Sequence, residues 1–108
     1  MELREYQKKT LKTLTKTKNK DLLIARMALG ITGEGGEIAE KVKKYLRGDY
    51  DKEYLSEVLF GELGDCLWYI AVLAQTMNLN LDNIAEFNLH KLGIRKITGK
   101  IKGFGDNR

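Results

Sequence analysis

Proline is absent from this chain. Proline marks tight turns and sheet edges and interrupts helices, so its absence disfavours a turn-rich β fold and favours long unbroken helices. Cysteine occurs once, at Cys66. No intrachain disulfide can form, and the expected compartment is the cytoplasm. Histidine also occurs once, at His90, outside any Glu-x-x-His spacing, which argues against a ferritin-like di-iron bundle. No run approaches the roughly 18 apolar residues that a membrane span needs. The N-terminus MELREYQKKTLKTL is amphipathic and charged, unlike the apolar core of a signal peptide.

What remains is an ordinary globular balance, with 43% hydrophobic and 31% charged residues. The 108 residues are expected to form one domain over 1–108. A domain so small has a thin core, and a helical one often completes it by oligomerising. The net charge of +4 is unevenly spread: basic residues crowd both ends, and acidic ones gather between Glu34 and Asp65. An acidic centre between basic ends suits a metal site that receives a polyanion, and would also suit a weak nucleic-acid binder.

Apolar spacing predicts helices over about residues 3–15, 22–46, 52–77 and 81–97. The second is expected to be disturbed near 32–36 and to stop at Arg47-Gly48-Asp49. Gly99, Gly103 and Gly105 predict an irregular tail over about 99–108. In the second helix the apolar stripe runs Met27, Ile31, position 34, Ile38, Val42, Tyr45. In the third it runs Val58, positions 62 and 65, Tyr69, Val72. The positions filling these stripes are Glu34, Glu62 and Asp65, and Glu37 lies one i,i+3 step from Glu34.

Carboxylates in register with buried stripes need an explanation, because an unpaired buried carboxylate costs several kcal/mol. Cation pairing, raised pKa values or a bound metal would each resolve it. Oxygen ligands without His or Cys select a hard cation, Mg²⁺ or Mn²⁺. The plainer alternative is pairing with lysines, for which Lys41, four residues after Glu37, is well spaced. Gly33, Gly35, Gly36, Gly61 and Gly64 surround the acids, suggesting close helix approach or ligand access to the backbone.

The run Gly33-Glu34-Gly35-Gly36-Glu37-Ile38-Ala39-Glu40-Lys41, followed by Glu62-Leu63-Gly64-Asp65-Cys66-Leu67-Trp68-Tyr69-Ile70-Ala71, resembles the MazG-like nucleotide pyrophosphohydrolases. Their signature, Glu-x-x-Glu on one helix and Glu-x-x-Asp on the next, reads here as Glu34/Glu37 and Glu62/Asp65, with 24 residues between Glu37 and Glu62. Tyr6-Gln7, Asn88-Leu89-His90-Lys91-Leu92 and the closing Gly103-Phe104-Gly105-Asp106-Asn107-Arg108 extend the likeness over nearly the whole chain. Gly33 and Gly61 stand where many relatives carry a further acid, and the Tyr-Pro-x-Gly-Phe stretch of other branches is missing.

The resemblance implies an all-α fold, a four- to five-helix bundle of the NTP pyrophosphatase type completed by oligomerisation. It implies conversion of (deoxy)nucleoside triphosphates to monophosphate and pyrophosphate, in homodimers or homotetramers whose sites can draw on more than one subunit. On this reading Glu34, Glu37, Glu62 and Asp65 hold one or more Mg²⁺ (or Mn²⁺) and activate a water for attack at the α-phosphorus. Asn88, Lys91 and Arg95, which share a face of the fourth helix, are candidate substrate ligands. Lys41, Lys44, Lys102 and Arg108 are candidates for the triphosphate. Trp68 either stacks on the base or belongs to the core, Gln7 either reads a base edge or lies exposed, and Cys66 is a small apolar residue. Two competitors remain: a basic helical nucleic-acid binder, which leaves the buried-stripe acids unexplained, and a catalytically silent nucleotide-sensing or oligomerisation module of the same fold.

Overall fold

A computed structural model describes residues 1–103 and Gly105. Arg108 and most of the closing Gly-x-Gly-Asp-Asn-Arg motif therefore lie outside the described residues. Among the described residues the chain is helical throughout, without a strand. The helices are α1 (Leu3–Lys9), α2 (Lys20–Leu46), α3 (Lys52–Thr76) and α4 (Leu81–Ile97).

α1 is shorter than the spacing predicts and tightens into a 3-10 turn over Thr10–Thr13. The Thr10 hydroxyl bonds back to the Gln7 carbonyl (2.7 Å) and Thr13 to that of Thr10 (3.2 Å). Such local bonds compete with the α ladder. The three longer helices each begin at a side-chain cap. Asn19 accepts from the Leu22 amide (3.0 Å), Asp51 from Tyr54 (2.9 Å) and Asn80 from Asp82 (2.8 Å). α2 stops where expected: Gly48 takes φ +89°, and the Asp49 amide reaches back to the Lys44 carbonyl at 3.0 Å.

One expectation is corrected. α2 runs unbroken through 32–36 despite three glycines. Each costs about 1 kcal/mol relative to alanine, but the helix docks along α3, and tertiary packing outweighs propensity.

α2 and α3 form an antiparallel hairpin, in which Gly30 lies against Tyr69 and Glu34 against Glu62. The Tyr50 hydroxyl donates to the Lys41 carbonyl near the turn. α1 and its turn lie on α3, and α4 touches α1 and α3 but not α2. Gln7 joins these parts. Its amide nitrogen donates to the Leu79 carbonyl (2.7 Å) and its oxygen accepts from the Leu81 amide (2.9 Å). The apolar core is small: Met27, Leu55, Ala71, Val72, Ala74 and Leu81. The radius of gyration is 16.6 Å, where a compact domain of this length would have about 13 Å. No helix among the described residues is long and apolar enough to cross a membrane.

Candidate metal centre

The antiparallel pairing decides which acids meet. Glu34 on α2 and Glu62 and Asp65 on α3 each offer an oxygen within 4.8 Å of the others. Glu34 and Glu62 are half-buried and Asp65 is exposed, so the cluster sits at the mouth of a groove and not inside the core as the stripe pattern suggested. The reason is the open architecture: the groove is walled only by Glu34 of α2 and by Asp65, Trp68 and Tyr69 of α3. Glu37 is exposed and falls outside the trio, yet its charge reaches Glu34.

No lysine or arginine among the described residues neutralises these four acids. The expected Glu37–Lys41 pair is absent, and the lysines of this stretch serve Glu40 instead, Lys43 at 3.4 Å and Lys44 at 3.8 Å. The consequence appears at Glu34. Partial burial pushes its carboxyl above the ordinary range, a hydrogen bond shared with Glu62 adds to this, and the charges of Asp65, Glu62 and Glu37 act in the same sense. Three convergent carboxylates, one of them with its proton affinity raised and none paired with a cation, match the donor set of a hard divalent ion.

Asp65, Glu34, Trp68 and Tyr69 line a groove of about 290 Å³. A second groove of about 400 Å³ opens beside it, sharing Trp68 and Tyr69 and adding Thr13, Arg26 and Gly30 among its lining. Trp68 is half-buried and its indole N–H donates to Thr13 Oγ1 at 2.9 Å. It meets Tyr69 edge-on, with ring centroids 5.2 Å apart. Trp68 is not part of the fully buried core; it lines both grooves beside the acids.

The glycine argument needs revising. Around Gly33, Gly35, Gly36, Gly61 and Gly64 nothing lies within 4 Å of where a Cβ would stand, so none of them permits a close helix approach. The close approach is at Gly30, where a Cβ would run into the Tyr69 ring. Sequence reasoning passed Gly30 over, although its place four residues before Glu34 on the same stripe was a usable signal.

Several proposed substrate residues are not brought to the acids within this chain. Gln7 is 4% exposed with both ends of its amide spent on backbone groups, so it is a structural clamp and neither a base reader nor an exposed residue. Arg95 is 5% exposed and donates to the Gly105 carbonyl at 3.4 Å, its guanidinium turned toward the tail. Lys91 stands 5.8 Å over the Phe87 ring, and Asn88 is exposed. All three belong to α4, which does not touch α2 and contributes nothing to the acid groove. Lys41 is half-buried and Lys102 exposed. Tyr6, given no role from sequence, lies near the acids. Burial raises its phenol, and the charge of Asp65 raises it further.

Fold and site together define an all-helical protein whose central hairpin gathers three carboxylates into a candidate metal site. The family description "MazG nucleotide pyrophosphohydrolase domain" matches residues 24–98, and the chain belongs to that family. The match spans α2 to α4 and leaves out α1, with Tyr6 and Gln7. The chain is similar to the Gene 37 protein of Mycobacterium phage L5, at 46% identity over 88 residues, which cover 79% of this chain and 76% of that protein. No solved structure matches.

Proposed function

We propose that the chain hydrolyses nucleoside triphosphates to nucleoside monophosphate and pyrophosphate with Mg²⁺ or Mn²⁺ at the Glu34/Glu62/Asp65 cluster. The observation that carries this reading is the unneutralised carboxylate trio opening directly onto an aromatic groove. When bound, the cation supplies positive charge to phosphate oxygens and acidifies a water molecule. The chain's own residues do the rest. The carboxylates divide two tasks, holding the ion and accepting the water's proton. Glu37, at the rim, extends the negative field that draws a cation in. The neighbouring groove, of a size that takes a small organic ligand, holds the nucleoside. There Trp68 and Tyr69 offer aromatic surface, Thr13 a hydroxyl and Arg26 a guanidinium. A nucleotide lying across both grooves has its phosphates at the acids and its base at the rings.

The test is a panel of nucleoside triphosphates with Mg²⁺ in ¹⁸O-labelled water. Pyrophosphate should appear, with the label in the monophosphate, as attack at the α-phosphorus requires. Glu62→Gln should slow turnover by about 100-fold or more, the scale for removing one proton-transfer or charge-stabilising group, with the helical circular dichroism unchanged. Magnesium-dependent nucleotide binding without pyrophosphate release would instead establish a silent sensing module.

A further inference from the structure

Trp68 and Tyr69 form the wall that the two grooves share, and the usefulness of that wall depends on the plane in which the indole stands. Tyr69 restrains it from one side. Its ring is pressed against Gly30 and meets the indole edge-on. The second restraint comes from far away in the chain. The indole N–H donates to Thr13 Oγ1 at 2.9 Å, across 55 positions of sequence. An indole has a single polar atom, so this bond is what fixes its rotation about the side-chain torsions.

Thr13 is itself held. Its hydroxyl donates to the Thr10 carbonyl (3.2 Å), the Thr10 hydroxyl donates to the Gln7 carbonyl (2.7 Å), and the Gln7 side chain clamps Leu79 and Leu81. α1 and its 3-10 turn thus make a hydrogen-bonded strap that runs from the α3–α4 turn back to Trp68. The strap is dry at one end and wet at the other: Gln7 and Thr10 are 4% and 3% exposed, whereas Thr13 is exposed. In an empty groove water competes for the Thr13–Trp68 bond, so the bond adds little to stability. A nucleoside lying on the indole excludes that water, and a hydrogen bond in drier surroundings is stronger. The contribution of Thr13 is therefore expressed on binding.

We propose that Thr13 is a positioning residue for the nucleoside: by holding the Trp68 indole N–H it sets the plane on which the base stacks, and so governs affinity rather than the chemical step. Threonine suits the task. Branching at Cβ restricts its side chain to few rotamers. After donating to Thr10 and accepting from Trp68, its oxygen keeps one lone pair for a ligand N–H or O–H in the groove that it lines. The proposal rests on the reading of the second groove as the nucleoside site.

Three variants of the full chain, Thr13→Val, Thr13→Ser and Thr10→Val, separate this role from a structural one. Valine keeps the shape and loses the hydroxyl. It should raise KM about 3- to 10-fold, the scale of one hydrogen bond, with kcat changed less than about twofold and the urea midpoint nearly unmoved. Serine should restore most of the affinity. Thr10→Val removes a buried hydroxyl but keeps the backbone carbonyl that Thr13 uses, so it should lower the urea midpoint and leave KM alone. The dissociation constant of an α,β-imido nucleoside triphosphate with Mg²⁺, read from quenching of Trp68, the only tryptophan, should follow KM across the variants. Thr13→Val with wild-type KM and dissociation constant overturns the proposal, and so does a wild-type protein whose tryptophan the analogue does not quench. Quenching that Thr13→Val weakens, in a protein that releases no pyrophosphate, upholds the positioning role and overturns the hydrolase reading alone. If Thr13→Val does not fold, ultraviolet resonance Raman spectra of the unmodified protein decide. The indole N–H signal should report a stronger hydrogen bond once the analogue binds, and an unbonded N–H in the complex overturns the proposal.

Discussion

At the scale of single residues, Glu34 gathers the most physical influences, and its titration has a definite sign. Its folded pKa is raised, chiefly by burial and the bond to Glu62, so protonation favours the folded state. That contribution is complete below the ordinary value of 4.5 and is lost as pH rises through the raised value. The ion-free protein should thus lose melting temperature between mildly acidic and neutral pH, and Glu34→Gln should flatten the loss. Mg²⁺ should raise the melting temperature more at neutral than at acidic pH, because the ion displaces a proton. A Mg²⁺ effect that grows on acidification would contradict this site. Gln7 makes a different kind of residue prediction. Gln7→Leu leaves the Leu79 carbonyl and the Leu81 amide without their partner, at a cost of roughly 2 kcal/mol. Urea titration would read it as a lower midpoint with an unchanged slope. No spacing rule could have foretold that role, since both partners lie more than seventy positions along the chain.

The α2/α3 hairpin dominates at the scale of elements. Its helices were legible because caps, terminating glycine and apolar period agree at Asn19, Gly48 and Asp51. Its pairing was not, because nothing local says that Gly30 must lie under Tyr69. Gly30→Ala forces the ring aside, and overpacking of this kind costs about 1–3 kcal/mol. Trp68 is the chain's only tryptophan and sits edge-on to Tyr69, so its emission should shift in this variant. Gly33→Ala, with open space at its Cβ, should leave the emission alone and stabilise the helix by up to about 1 kcal/mol. Equal effects from the two substitutions would mean that the close approach at Gly30 is misassigned. α4 shows the limit of helical-face reasoning: Asn88, Lys91 and Arg95 do share a ridge, yet the ridge does not reach the acids of its own chain.

At the scale of the whole molecule, the chain leaves more surface open than its mass accounts for, and its core holds few side chains. If a second copy covers part of that open surface, stability becomes concentration-dependent. A tenfold increase in protein adds about 1.4 kcal/mol per dimer by mass action, enough to raise the melting temperature by roughly 3–5 °C for a unit of this size. Scanning calorimetry over two decades of concentration would show it. A melting temperature independent of concentration would mean that the open face is tolerated by the lone chain.

Sequence alone determined the helical class, the ends of the long helices, the family and which acids fall on the apolar stripes of α2 and α3, because each is written in local spacing and side-chain chemistry. Tertiary structure decided that three of the four acids meet, that they do so at a groove mouth beside Trp68 and Tyr69, and that Gln7 and Arg95 are spent inside the chain. Those outcomes depend on how the helices pair across many intervening residues. Helical period says which residues share a face but not which face finds a partner.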